Sequence, residues 1–303
     1  MIQNLTLRYN ENVGEGIACL LSKLPQLNTL LVNGSVNNAI APFFSFGRNA
    51  TNLRSFTCEC YTVQEINCKD ISNTLVAEMP NLTSLHLNLA STTLLNFSDL
   101  QLMSITELEL CCSRMEGCLT LPQNVVSVTK LILNTETSSA EEIAAVLVNF
   151  TNLITLELDF FRNHDIRFNA TLVEVLVGLN SLKYFSFFDA FYSKEKYYTL
   201  NNGEKSALVE VLVALKNVDK IKIEFCQQSY EDDDLVTAVN NLVAKRPQQN
   251  IQLIIPDNDF DLNDCLSENS NSLYGFDSDY DDYGDGYGND SDFSDDWYRR
   301  TMD

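Results

Sequence analysis

The sequence predicts an α/β solenoid, and three observations predict it. The pattern L-x-x-L-x-L recurs along the chain. It is clearest in Asn149–Phe160, NFTNLITLELDF, at Leu153, Leu156 and Leu158, and it returns with apolar substitutes at Ile2/Leu5/Leu7, Leu27/Leu30/Val32, Leu53/Phe56/Cys58 and Leu82/Leu85/Leu87. Further copies are Ile105/Leu108/Leu110, Val128/Leu131/Leu133, Leu182/Phe185/Phe187, Val218/Ile221/Ile223 and a weaker Ile251/Leu253/Ile255. From Leu27 the copies step by 26, 29, 23, 23, 25, 29 and 36 residues, and such spacing marks a stacked repeat array. The second observation is that several segments between copies carry apolar residues at helical spacing. The third is that the repeats stop at Pro256, where the composition changes abruptly.

Taken in order, the first strand is Leu5-Thr-Leu7. Gly14 and Gly16 then allow a turn, and Ile17, Leu20, Leu21 and Leu24 recur at i, i+3, i+4 and i+7, one apolar helix face. The units between residues 90 and 128 are short and their helix signals are weak (SDLQLM, PQNVVS), which predicts a single turn or an irregular connection. Helices are predicted most clearly in the second half. Ser139 to Glu142 reads as a capping box before Ile143, Leu147 and Phe150. Later faces are Leu172/Leu176/Leu179, Leu208/Leu212/Leu215 and Leu235/Val239/Leu242. No single strand or helix of this size buries its own apolar face, so the units must stack into one continuous core. Residues 1–256 are therefore read as an array of about ten units, and residues 257–303 as a disordered tail.

Charge limits the partners. The chain of 303 residues has a net charge of −22, and residues 257–303 hold fifteen acids against two arginines. That balance disfavours direct nucleic-acid binding, which needs a basic surface, and anionic membranes, while favouring basic partners. The apolar runs are too short to span a bilayer. The first residues, MIQNLTLRYNENVGEG, have no signal-peptide pattern. The nine scattered cysteines then read as small buried thiols in a reducing compartment, cytoplasmic or nuclear. For the same reason the eight N-x-S/T sequons, Asn81, Asn149 and Asn169 among them, are not read as glycosylated.

With these features the chain resembles a leucine-rich repeat protein, and its longer helical units are similar to the ribonuclease-inhibitor-like group. The first unit, LTLRYNENVGEGIACLLSKLPQL, is the nearest match: L-x-L-x-x-N ends at Asn10 and a glycine turn precedes the helix. Elsewhere the family's asparagine is replaced, by Ser35, Tyr61, Ala90, Ser113, Glu136, Phe161, Ala190 and Cys226. The resemblance implies a curved horseshoe with parallel strands on the concave side and helices on the convex side.

In a strand written x-L-x-L-x the leucines face inward and the x positions face the concave side. Stacking the units then gives three columns. The first contains Ser84, Glu107, Lys130, Thr155, Tyr184 and Lys220. The middle one contains His86, Glu109, Ile132, Glu157, Ser186 and Lys222. The third contains Arg8, Glu59, Asn88, Cys111, Asn134, Asp159, Phe188 and Glu224. Glu107, Glu109, Glu157 and Asp159 form an acidic patch beside Lys130. Tyr184 and Phe188 lead into the longest unit, whose Phe191 and Tyr192 are candidate anchor aromatics. In the tail, Tyr280, Tyr283, Phe293 and Trp297 lie among acids, a pattern of interaction segments that order on binding. The lysines Lys194, Lys196, Lys205, Lys216, Lys220 and Lys222 make the last units locally basic, so the tail is expected to fold back onto them.

Catalytic patterns are sparse. Two histidines are few for acid–base or metal chemistry. There is no H-E-x-x-H, P-loop, G-x-S-x-G or dinucleotide fingerprint. Cys58, Cys60 and Cys68 lack a fourth zinc ligand, and the loop from Asp277 has Asp282 where a calcium loop needs Gly and Gly288 where it needs Glu. The sequence reading is a non-enzymatic protein-interaction module without metal or cofactor. It binds a basic protein partner through the concave face and the aromatic insertion. A substrate receptor of ubiquitin ligation is the alternative, although no F-box segment is visible. A regulator resembling Ran GTPase-activating proteins ranks lower, because the family's loop arginine is missing from Tyr9–Gly16 and Arg8 falls on the strand.

Overall fold

The computed structural model describes residues 2–9, 23–34, 51–60, 67–68, 79–89, 94–96, 104–112, 119–121, 123–135, 138–161, 169–190, 202–225 and 233–254. All fall within one unit, Met1–Asp261. The strands in chain order are β1 (Asn4–Tyr9), β2 (Thr29–Gly34), β3 (Ser55–Cys60), β4 (Asn67–Cys68), β5 (Ser84–Leu89), β6 (Leu94–Asn96) and β7 (Glu107–Cys112). They continue as β8 (Leu119–Thr120), β9 (Lys130–Thr135), β10 (Thr155–Phe161), β11 (Tyr184–Ala190), β12 (Lys220–Phe225) and β13 (Asn250–Ile254). Four helices among the described residues, α1 (Ala140–Leu147), α2 (Ala170–Gly178), α3 (Asn202–Ala214) and α4 (Asp233–Lys245), follow β9, β10, β11 and β12.

Ten of the strands form one parallel sheet in the order β1-β2-β3-β5-β7-β9-β10-β11-β12-β13. The register repeats without slippage: Leu156 pairs with Leu131 on one side and with Phe185 on the other. Because side chains alternate along a strand, a slip of one residue would turn every core leucine outward, so burial holds the register. The inward positions of the central strands are fully buried, from Leu30 and Val32 through Phe56, Leu85, Leu108, Leu131 and Leu156 to Phe185 and Ile221. The helix faces close over them with Ile143, Leu147, Leu172, Leu176, Leu208, Leu212, Leu235 and Val239, in one continuous core. This is the α/β solenoid-like layout that the repeat spacing predicts.

Parallel strands need a crossover, usually a helix. After β9 the crossovers are helices, as the apolar spacing predicts. After β3, β5 and β7 they carry β4, β6 and β8, which pair into a second parallel sheet of three strands. The short connections between residues 90 and 128, which the sequence predicts as a turn or irregular chain, thus carry β6 and β8, and β4 pairs with β6 from the connection before them. Of the predicted first helix face, Ile17, Leu20 and Leu21 lie outside the described residues, and Leu24 packs partly buried against the core.

Local chemistry joins each unit to the next. Ser139 and Glu142 form the expected reciprocal capping box at the start of α1. Asn169 caps α2 by accepting from the Leu172 N–H at 3.0 Å, and its amide donates to Glu141 on α1. Arg246 donates to the carbonyls of Leu212 and Val213 (2.9 and 2.7 Å), so the guanidinium of one unit caps the helix end of the unit before it. At the strand entries, the hydroxyls of Thr83, Thr106 and Thr129 each donate to the carbonyl of the equivalent residue one unit earlier. Asn52, Asn81 and Asn152 do the same for the preceding turn, reaching Pro25, Thr51 and Val126.

The sheet ends differ from its middle. Leu5, Leu7, Ile251 and Leu253 are only partly buried, and Ile2, an inward position of the repeat, is 51% exposed. They lie on or beside β1 and β13, which have a paired neighbour on one side only among the described residues.

Candidate functional site

The face of the sheet opposite the core carries the non-leucine positions. Cα pairing sets Ser84, Glu107, Lys130, Thr155, Tyr184 and Lys220 in one line across β5, β7, β9, β10, β11 and β12. A parallel line holds His86, Glu109, Ile132, Glu157, Ser186 and Lys222, and a third holds Asn88, Cys111, Asn134, Asp159, Phe188 and Glu224. These are the columns expected from the repeat.

The four predicted acids stand on β7 and β10. β9 lies between β7 and β10, and it sets Lys130 beside Glu107 and Ile132 between Glu109 and Glu157. At about 4.8 Å per strand, the Glu109 and Glu157 backbones stand roughly 10 Å apart. Asp159 sits in the third column, where the Asn134 amide approaches its carboxylate at 3.5 Å. Tyr184 and Phe188 occupy the first and third columns of β11, and the Lys220 ammonium lies 5.3 Å from the Tyr184 ring centroid, a cation–π contact. Lys222 pairs with Glu224 on its own strand at 2.5 Å. Phe191, Tyr192, Tyr280, Tyr283, Phe293 and Trp297 lie outside the described residues. Arg8 stands in the third column of β1, aligned with Asn33.

The middle of the third column is more buried than a solvated face would be. Glu59, Asn88 and Asn134 are 6%, 4% and 3% exposed. Glu59 accepts from the Asn33 amide at 2.6 Å. Burial raises the Glu59 carboxyl above its ordinary range, against the lowering effects of that hydrogen bond and of Arg8. From β3 to β9 the groups open to a partner therefore lie in the first and middle columns.

Within those columns the most specific arrangement is one the column reading did not single out. His86 on β5 and Glu109 on β7 are register partners, and their Nδ1 and Oε2 atoms are 3.3 Å apart. The side chains are only 14% and 24% exposed. Desolvation lowers His86 to about 4. Desolvation also lifts Glu109 to about 7; Lys130 opposes that rise, and Glu157 and Glu59 add to it. The pair is best described as one unit that takes up a proton near neutral pH. His86 Nε2 is buried and has no hydrogen-bond partner among the described residues. Above the pair lies a shallow depression of about 30 Å³ lined by Ser84, His86, Glu107, Glu109, Lys130 and Ile132. The column positions of His86 and Glu109 were legible in the sequence; the side-chain approach was not.

Among the described residues no group of three or more His, Cys, Asp or Glu side chains is placed to hold a metal ion. No helix among them is long and apolar enough to cross a membrane. No family model matches the chain, and no curated protein matches its sequence.

Proposed function

We propose that this chain is a non-enzymatic protein-interaction module, a diverged leucine-rich repeat array of the ribonuclease-inhibitor-like kind. It binds a protein partner with basic groups across the open face of its sheet. The observation that carries this reading is the register-locked open face itself. Glu107, Glu109 and Glu157 project from strands paired on both sides, with Tyr184 and Phe188 on β11, next to β10 and three strands from β7. Repeat arrays commonly use such extended strand surfaces for recognition. Fixed side chains lose little freedom on binding, and an acidic surface with aromatic anchors suits a partner carrying arginine or lysine.

The test is affinity capture on the full chain beside a Glu107→Lys/Glu157→Lys double variant, at low and high salt, with crosslinking and mass spectrometry. The reading expects partners that are lost on charge reversal, weakened by salt and crosslinked through Lys130, Lys220 or Lys222. An unchanged set of partners on the charge-reversed face would overturn it.

A further inference from the structure

We propose that the outer side of the helix layer is a contact between two copies of this chain, related by a two-fold axis that runs along a row of exposed valines. The row lies on the helices, away from the open face of the sheet, so the proposal stands independently of the partner proposed above.

The row comes from the repeat. Each of the four helices buries a leucine at its last turn and exposes the valine that follows: Leu147 and Val148, Leu176 and Val177, Leu212 and Val213, Leu242 and Val243. A leucine directed into the core turns the next side chain about 100° round the helix and out of the core. The four valines are 38–59% exposed. The helices pack side by side in the order α1-α2-α3-α4, and at about 8–10 Å between neighbouring axes the row is roughly 30 Å long. A single exposed valine needs no explanation, but this one returns at the same position in four successive units. Valine is also a poorer helix former than alanine, lysine or glutamate, so helix stability does not account for it.

Charge identifies what covers the row. In the two central units an acid stands one turn before the valine, Glu174 before Val177 and Glu210 before Val213. A lysine follows beyond the helix end, Lys183 in one unit and Lys216 in the other. All four charged residues are exposed, and none has an ion-pair partner among the described residues. Along the helix direction both units therefore read acid, valine, lysine. A uniformly acidic or basic partner would match only one border of the row, whereas a second copy matches both.

The symmetry follows from that order. A two-fold axis along the row sets Val177 and Val213 against the same residues of the second copy and reverses the direction of the helices. Glu174 of one copy then meets Lys183 of the other, and Glu210 meets Lys216, each pair occurring twice as an isologous contact requires. The outer helices add no like-charge clash, because Ala145 in α1 and Asn240 in α4 occupy the position of the acid. Asp219 is the one acid among residues 178–183, 214–220 and 243–250, and it follows Lys216 at the entry to β12. Four valines with two charged borders make a contact smaller than a stable dimer interface, so the association is weak and reversible.

The experiment is sedimentation velocity on the full-length protein, from micromolar to several hundred micromolar. The proposal expects a monomer–dimer equilibrium with no larger species. Val177→Gln/Val213→Gln should leave a monomer throughout, with thermal unfolding confirming a folded chain. Glu174→Lys breaks both copies of one pair and should weaken the dimer roughly tenfold, and Glu174→Lys/Lys183→Glu should restore it. A wild type that stays monomeric overturns the contact, as does a dimer that survives the valine variant. A double charge swap no tighter than the single reversal overturns it too. Should the valine variant fail to fold, the charge swap decides, since Glu174 and Lys183 are exposed and lie outside the core.

Discussion

Burial shifts His86 and Glu109 in opposite directions, so their contributions to stability change oppositely with pH. His86 has its protonation depressed in the folded chain, so its contribution is present above about 6.5 and is lost as pH falls towards 4. Glu109 has its protonation raised, so its contribution is present below about 4.5 and is lost as pH rises through 7. Each shift corresponds to at most about 3 kcal/mol, and the two nearly cancel in the intact pair between pH 5 and pH 7.5. Glu109→Gln removes one side of that balance. The variant should lose about 2–3 kcal/mol relative to the wild type on going from pH 7.5 to pH 5, measured by urea unfolding at the two pH values. A parallel pH profile for both proteins would show that the pair is not coupled as described. In the third column, Asn33→Ala leaves the buried Glu59 without its 2.6 Å donor. The expected cost is about 1–3 kcal/mol, and a rise in the Glu59 pKa should be visible by carboxylate NMR.

At the scale of elements, the helices depend on contacts from their own caps and from neighbouring units. Ser139→Ala removes one arm of the α1 capping box and should cost about 1 kcal/mol, with Ser139→Asp retaining most of the stability. Arg246 is different, because it lies after α4 and holds the last carbonyls of α3. Arg246→Ala should therefore speed amide hydrogen exchange at the end of α3 as well as near its own position. Faster exchange confined to the residues around Arg246 would mean that the cap contributes nothing to α3. The sequon asparagines Asn81, Asn149 and Asn169 also have structural tasks here. Their amide nitrogens donate to Thr51, Ala145 and Glu141, joining a turn, closing α1 and tying α2 to α1.

For the whole array, stability is set by stacking between neighbours. Leu156 is fully buried, with Leu131 and Phe185 as its register partners. Leu156→Ala should cost about 2–5 kcal/mol, read by chemical unfolding. Because each unit contacts chiefly its neighbours, hydrogen exchange should accelerate most in β9, β10 and β11 and least in β1 and β13. Unchanged stability would place Leu156 outside the core and break the register assigned to the sheet. The same variant leaves Glu107, Glu109 and Glu157 in place on the opposite face, so binding by the folded fraction should persist.

The sequence by itself determined the period, the strand positions, the inward leucines and the order of the columns. That information is local: an alternating strand and a helix face leave their spacing in the chain whatever surrounds them. It also located α1 through Ser139 and Glu142, because a capping box lies within one turn. Tertiary structure decided what depends on neighbours in space. The connections after β3, β5 and β7 carry β4, β6 and β8, because two or three residues become strands only when adjacent units pair with them. Glu59, Asn88 and Asn134 of the third column proved buried, and His86 came within 3.3 Å of Glu109. Burial and side-chain approach are set by residues 23 or more positions away, and no short stretch of sequence records the desolvation that moves a carboxyl to about 7.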